Sequence, residues 1–361
     1  MAVKLKELFF TKDSLNHLAK VIVEYYPDFD KEKFFKIVYN KDWKSKELKE
    51  KMRHISVALN ATLPENYKDA INILIKIAPF VKGFEAMTLP DFVEVYGLEH
   101  YELSLKALAV FTKYSSSEFA IRPFLKMETT KTMEYMSKLA ESENENVRRF
   151  ASEGCRPRLP WAMALPYFKN DPSLIIPILE KLKNDKSEFV RKSVANNLND
   201  ISKDNPDLVL NLCEKWHGSS KNTNWIVKHA CRTLLKSGNK RALMIFGFGD
   251  AKNFNIKNLN FEKNIIKIGE EICFSFQFEN LNKQSSKVRL EYGVDFMKSN
   301  GKLSRKIFQI SEKNWQSGIH PISKKHSFVN RTTRKHYVGK HKIAIIVNGE
   351  EKAIQDFELI F

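Results

Sequence analysis

Cysteine is scarce in this chain: Cys155, Cys213, Cys231 and Cys273 are scattered through 361 residues, and no CxxC pair occurs. That spacing excludes a disulfide framework and the common zinc patterns, and it points to a reduced, cytoplasmic protein. Long apolar runs are missing as well, with nothing near the roughly 18 residues a membrane span needs. The first 25 residues interleave Lys4, Lys6, Glu7, Lys12 and Asp13 with apolar positions, so no signal-peptide core is expected. No Walker loop, HExxH, GxSxG or kinase signature is present, which leaves nucleotide hydrolysis and metal-dependent hydrolysis without support. Neither a metal nor another cofactor is called for. Acidic residues are in deficit: 60 Lys and Arg face 43 Asp and Glu, a formal charge of +17. A balance that basic points to a polyanionic partner, nucleic acid ahead of an anionic membrane.

What is present divides near residue 250. At 361 residues, 43% of them hydrophobic, the chain is long enough for two or three domains with real cores. Up to about Ala242 apolar residues recur with helical spacing, most clearly Tyr67, Ala70, Ile71, Leu74, Ile75 and Ala78. Similar patterns run from Asp13 to Tyr26, Asp30 to Tyr39, Leu48 to Leu63 and Tyr101 to Tyr114. Beyond Phe246-Gly-Phe-Gly249 the period becomes two: Ile272, Phe274, Phe276 and Phe278 alternate with polar residues. Asn348-Gly349 between two apolar-alternating runs signals a type I′ hairpin. The expectation is an α+β multidomain protein, an all-α HEAT-like repeat solenoid over 1–250 followed by an immunoglobulin-like β-sandwich over 251–361. The smaller part carries 20 Lys and Arg against 11 Asp and Glu. Its segment Lys324–Lys342, basic, with three histidines and no acid, reads as a polyanion-facing edge or, more plainly, as a sheet edge kept charged against aggregation. Arg331, Arg334 and Lys335 are its candidate DNA contacts.

A loose repeat supports the solenoid. "ENVRRFAS", "EFVRKSVANNL" and "NWIVKHACRTLL" align on Val147, Val190 and Val227, spaced 43 and 37 residues apart, with a basic residue directly after each valine. Arg148, Arg149, Arg191, Lys192, Lys228 and His229 are then expected at equivalent places along one surface, as an electrostatic groove. The plainer alternative is that each solvates its helix or pairs with an acid of the next repeat.

One stretch breaks the helical pattern, "SEGCRPRLPW" from Ser152 to Trp161, which sets a carboxylate, two guanidiniums and an indole among residues unsuited to helix. Together with "SSSEFAIRPFL" (115–125), "VRRFASEGCRPRLPWA" (147–162) and "FVRKSVANNLNDISKDNP" (189–206), it resembles the AlkC-type DNA alkylation repair glycosylases, relatives of the AlkD type in the HEAT-like-repeat superfamily. The N-terminal "LKELFFTKDSLNHLAKVI…YYPDFD" fits the same family, and an immunoglobulin-like C-terminal domain occurs in a subset of it. The resemblance implies a monofunctional glycosylase that removes N3-methylated adenine and cytosine from double-stranded DNA without conventional base flipping. Carried over by motif, Glu118, Glu153, Trp161 and Asp200 are the catalytic candidates and Phe119 a DNA contact; Arg156 and Arg158 would hold nearby phosphates.

Those residue types suit the chemistry. An N3-methylated base is already cationic and leaves neutral, so the barrier lies in the oxocarbenium ion that builds on the sugar. A carboxylate stabilises that charge and can orient or deprotonate water, and an aromatic face favours a cation. Each candidate also has a structural alternative: Ser115-x-x-Glu118 as a capping box, Trp161 as inter-repeat packing, Asp200 as a cap, Glu153 as an i−4 partner of Arg149. The competing functional readings are a non-catalytic HEAT-like scaffold for nucleic acid or an acidic protein, and an RNA-binding module. A monomer is compatible with all three.

Overall fold

A computed structural model describes residues 8–331 and 334–361. Lys4, Lys6, Glu7 and the first residues of the N-terminal resemblance lie outside the described residues, as do Thr332 and Thr333 of the basic segment. Sixteen α-helices occur among the described residues: α1 Lys12–Tyr25, α2 Lys31–Val38, α3 Leu48–Asn60, α4 Tyr67–Ile77, α5 Thr88–Tyr96, α6 Tyr101–Phe111, α7 Arg122–Met127, α8 Thr129–Leu139, α9 Glu145–Gly154, α10 Pro166–Asn170, α11 Ile176–Leu182, α12 Glu188–Ile201, α13 Pro206–Trp216, α14 Lys221–Ala230, α15 Arg232–Lys236 and α16 Lys240–Ile245. None is long and apolar enough to cross a membrane.

The chain packs as two compact units, one reaching to Val209 and taking in Gly218–Ala230, the other made of Leu210–His217 and Cys231–Phe361. In the first, local signals explain the helices. α4 starts at Asn66, whose Oδ1 accepts from the N–H groups of Lys68 and Asp69, and it buries Tyr67, Ala70, Ile71, Ile73, Leu74 and Ile77. Each such aliphatic side chain contributes about 1.5–3 kcal/mol when taken out of water. The three aligned valines are 3%, 0% and 0% exposed, and they bring α9, α12 and α14 into a stack in repeat register. Arg148 and Arg191 then do the same thing in successive repeats. The Nη1 of each donates to two turn carbonyls five and six residues back, Ser142 and Glu143 for Arg148, Asp185 and Lys186 for Arg191.

The second unit holds the strands β1 Phe254–Phe261, β2 Ile265–Lys267, β3 Glu271–Asn280, β4 Ser286–Met297, β5 Leu303–Trp315, β6 Gly318–Ser327, β7 Gly339–Val347 and β8 Glu350–Ile360. They form a sheet in the order β1-β3-β6 and another in the order β2-β8-β7-β4-β5. All pairs are antiparallel except β2 with β8. Ile272, Phe274, Phe276 and Phe278 alternate into the core that the two sheets share, as the period-two pattern predicts. Asn348 and Gly349 both take positive φ, 46° and 80°, the backbone a type I′ turn requires.

Candidate active site

Three segments distant in sequence meet in the helical unit: the turn before α7, the end of α9 with its following loop, and the end of α12. α9 is capped by Asn144 Oδ1, which accepts from the N–H groups of Asn146 and Val147. It stops at Gly154, where a Cβ would lie 2.9 Å from both Ile121 Cγ2 and Met136 Cε. Glu153 therefore sits in the last turn of α9, 6% exposed, and Asp200, 3% exposed, in the last turn of α12. Helix C-termini disfavour anions, and burial adds to that cost. Arg156 offsets both. Its Nη1 donates to Glu153 Oε1 at 2.7 Å and its Nε to Asp200 Oδ2 at 2.9 Å. Burial alone would lower its pKa, but the attraction of Glu153 and Asp200 outweighs that and holds it above the usual arginine value. Ser193 Oγ donates to Glu153 Oε2 at 2.6 Å, and Lys203 Nζ to Asp200 Oδ1 at 3.2 Å.

Arg149 extends the network. Both of its terminal nitrogens donate to Glu118 Oε1 at 3.2 Å, its Nη2 lies 3.6 Å from Glu153 Oε1, and its guanidinium packs 4.5 Å over the Phe189 ring. Glu118 is 6% exposed, and its Oε2 is buried without a hydrogen-bond partner. An unmatched buried polar atom costs about 1–3 kcal/mol, so this oxygen favours a cation or a donor brought to it. Glu118 lines a cavity of about 130 Å³ with Lys49, Met52, Phe84, Phe119 and Trp161. The walls are aromatic and aliphatic, and one carboxylate oxygen is unspent.

Trp161 is 66% exposed and has φ +64°, the left-handed region. Such a backbone costs a residue with a Cβ about 1–2 kcal/mol. Side chains hold the loop in this shape. Lys49 Nζ donates to the Trp161 carbonyl at 2.8 Å. Arg122, fully buried, donates through Nε to the Met163 carbonyl and through Nη1 to the carbonyls of Gly154 and Arg156, so one guanidinium clamps both ends of the loop between α9 and α10. Burial pulls Arg122 down to about 10, which still leaves it charged at neutral pH.

Residues 112–234 match the family described as DNA alkylation repair enzyme, and residues 255–361 match that described as the C-terminal Ig-like domain of the uncharacterised protein YhaZ. A solved structure of Pseudomonas fluorescens alkylpurine DNA glycosylase AlkC, bound to DNA containing an abasic site analogue, is 38% identical with a TM-score of 0.95, over 99% of this chain and 100% of that one. The chain belongs to the AlkC-type DNA alkylation repair family. It is also 45% identical over 356 residues to the uncharacterised protein YhaZ of Bacillus subtilis, which is 98% of this chain and 99% of the other.

Within this AlkC-like fold, the four residues expected at the chemistry separate into two connected places. Glu118, Phe119 and Trp161 share the cavity. Glu153 and Asp200 lie behind it, joined to Glu118 by Arg149 and to each other by Arg156. The capping-box alternative for Glu118 gives way to its pairing with Arg149. Trp161 is too exposed to be a packing residue, and the Asp200 side chain goes to Arg156 and Lys203.

Several expected DNA contacts are placed otherwise than the sequence reading has them. Arg156 is 7% exposed and engaged by two carboxylates in the free protein, not turned to solvent. Arg148, 8% exposed, is engaged with Asp185 at 2.6 Å and with its two turn carbonyls. Arg191 likewise faces the turn before α12. The reason is geometric: a planar fork four residues into a helix reaches back to the unsatisfied carbonyls of the preceding turn. Arg158 is half-exposed and pairs with Asp204 at 2.6 Å, Lys192 is exposed beside Glu188, and Lys228 is half-buried on α14. In the other unit, Arg331 and Lys335 are exposed, and Arg334 lies 5.3 Å over the Phe296 ring. The sequence reading missed Arg122, Lys49, Ser193 and Phe189. Arg122, Phe189 and Ser193 lie inside the quoted motifs; Lys49 carries no local signal.

Proposed function

We propose that this chain is a monofunctional DNA glycosylase, acting as a monomer, that hydrolyses the N-glycosidic bond of cationic N3-alkylated bases, 3-methyladenine and 3-methylcytosine, in duplex DNA. In this reading residues 1–250 carry the chemistry and 251–361 add contacts to DNA. The observation that carries it is Glu118: a buried carboxylate with one oxygen unpaired, in an aromatic-walled cavity, coupled through Arg149 to the buried Glu153. A leaving base that is already cationic needs no acid. The sugar C1′ becomes positive as the bond lengthens, and carboxylates fixed in a poorly solvated place stabilise it without reorganising. Glu118 Oε2, buried and without a protein partner, is the oxygen left for the sugar or for the attacking water, whose proton it can accept. Glu153 adds negative charge behind it and keeps Arg149 from drifting, while Asp200 holds Arg156 in place for Glu153. Phe119 and Trp161 offer ring faces to the cationic base or sugar, each worth about 0.5–2 kcal/mol according to desolvation.

The cavity, about 130 Å³, is well below the roughly 300 Å³ of a pocket that encloses a whole small ligand. That favours contact with a lesion still in the helix over extrusion of the nucleotide. A second reading, a non-catalytic nucleic-acid scaffold, draws on Glu153, whose two oxygens already have protein partners. Chromatography of the bases freed from methylated duplex DNA by the purified protein, with and without a chelator, decides between them. The glycosylase releases 3-methyladenine and 3-methylcytosine in both conditions. A folded protein that binds this DNA and releases nothing is the scaffold.

A further inference from the structure

We propose that Lys49 is a positioning residue for Trp161, holding the indole at the mouth of the cavity from a helix distant in sequence. This rests on the assignment of Trp161 to the lesion site made above. Lys49 is the second residue of α3, 112 positions before Trp161, yet its Nζ is 2.8 Å from the Trp161 carbonyl and 5.0 Å from the centroid of the Phe119 ring. A single ammonium therefore ties together Phe119 and Trp161, two of the three aromatic residues of the cavity.

Trp161 needs such a tie. Its backbone is left-handed, its indole is 66% exposed, and no neighbour buries the ring deeply enough to fix it. The loop is pinned on its inner side by Arg122 at the Met163 carbonyl, two residues further on, and the other Arg122 hydrogen bonds go to Gly154 and Arg156. Lys49 supplies the other pin. Its hydrogen bond fixes the peptide plane after Trp161, and that plane sets the direction in which the side chain leaves the loop. Without it the residue relaxes toward ordinary right-handed backbone and the indole turns away from Glu118 and Phe119. A charged donor on a carbonyl is also stronger than a neutral one, so a lysine or arginine suits this place and an aliphatic residue of equal length does not.

Four variants test this: Lys49→Met, Lys49→Arg, Trp161→Phe and the double Lys49→Met/Trp161→Phe. The readouts are single-turnover base release from methylated duplex DNA with protein in excess, and acrylamide quenching of tryptophan fluorescence in the free protein. The Trp161 contribution to quenching is the difference between each chain and its Trp161→Phe partner. Lys49→Met should slow single-turnover release about tenfold at unchanged melting temperature and alter the quenching of Trp161, and Lys49→Arg should restore release to within about threefold of the parent. In the Trp161→Phe background Lys49→Met should cost nothing further, because the pinned residue is already gone. Losses that multiply in the double variant, or a Trp161 quenching signal that Lys49→Met leaves untouched, overturn the proposal and make Lys49 a phosphate contact or a plain surface cation. If the parent releases no base, the glycosylase reading fails on its own; the quenching comparison then still decides whether Lys49 positions Trp161.

Discussion

Arg156 is where function and stability meet most tightly at the scale of single residues. It lies between two carboxylates at two helix C-termini, and removing it leaves both charges buried without their main partner. Arg156→Met is expected to destabilise the fold by about 3 kcal/mol or more, read as a lower urea midpoint at unchanged slope. The carboxylates themselves should behave differently from each other. Glu118→Gln keeps an amide oxygen for Arg149, which still has Glu153 at 3.6 Å, and the oxygen it changes has no partner in the free protein. It should therefore hold stability to within about 1 kcal/mol while base release falls by about 100-fold or more. Glu153→Gln should reduce release as severely and still fold, because the amide oxygen can keep a bond to Ser193 or Arg156. A variant of either that releases bases at the parent rate would move that residue out of the chemistry. Glu153, Trp161 and Asp200 were legible as candidates only through the motifs around them. Their burial, and the division between the cavity pair and the residues behind it, were not, because a helical pattern records which face is apolar and not which charges turn inward.

At the scale of the element, the repeat is the instructive feature. The period of about 40 residues is in the valines, whose burial stacks α9, α12 and α14, and that much follows from apolar spacing alone. The basic residue after each valine suggested an outward electrostatic line. In two of three repeats it is instead a clamp on the preceding loop, satisfying loop carbonyls that lie outside the helices. Arg148→Ala should accordingly cost about 3 kcal/mol of stability, since the nearly buried Asp185 loses its cation and keeps only the Ser187 N–H, and should leave the salt dependence of DNA binding unchanged. A smaller salt slope with intact stability would restore the phosphate-contact reading. The β unit offers an element-scale test of pH. His326, 8% exposed between the sheets, is pulled by burial to about 4, and His336 and His341 nearby are lowered for the same leading reason. The unfolded chain binds these protons more readily than the folded one. The contribution of His326 is thus fully present above its ordinary value near 6.5 and is lost as pH falls toward 4, roughly 3 kcal/mol in all. Thermal melts between pH 7 and 4.5 should show the β unit loosening with acid, and His326→Phe should flatten that slope.

For the whole molecule, the formal charge of +17 predicts binding to duplex DNA that weakens steeply with salt, the logarithm of affinity falling by about 0.9 per phosphate neutralised for each decade of salt. Titration of binding to an abasic-analogue duplex between 50 and 200 mM salt, as an order-of-magnitude window, reads that number directly. A slope near zero would mean that the excess charge serves solubility and not DNA. The sequence by itself determined the two kinds of region, the helix starts at residues such as Asn66 and Asn144, the β alternation of the Phe274 strand and the turn at Asn348-Gly349. Each of these is encoded by neighbours within a few positions, through apolar period, capping hydrogen bonds and permitted backbone angles. Only the tertiary structure decided what the charges do at long range: Arg148 on Asp185, Arg149 on Glu118, Arg156 on Asp200, Arg122 under the loop, and Lys49 on Trp161. A guanidinium or ammonium on a long flexible stem takes its role from whatever acceptor lies within reach. When that acceptor is 31 to 112 residues away in the chain, only folding brings it there.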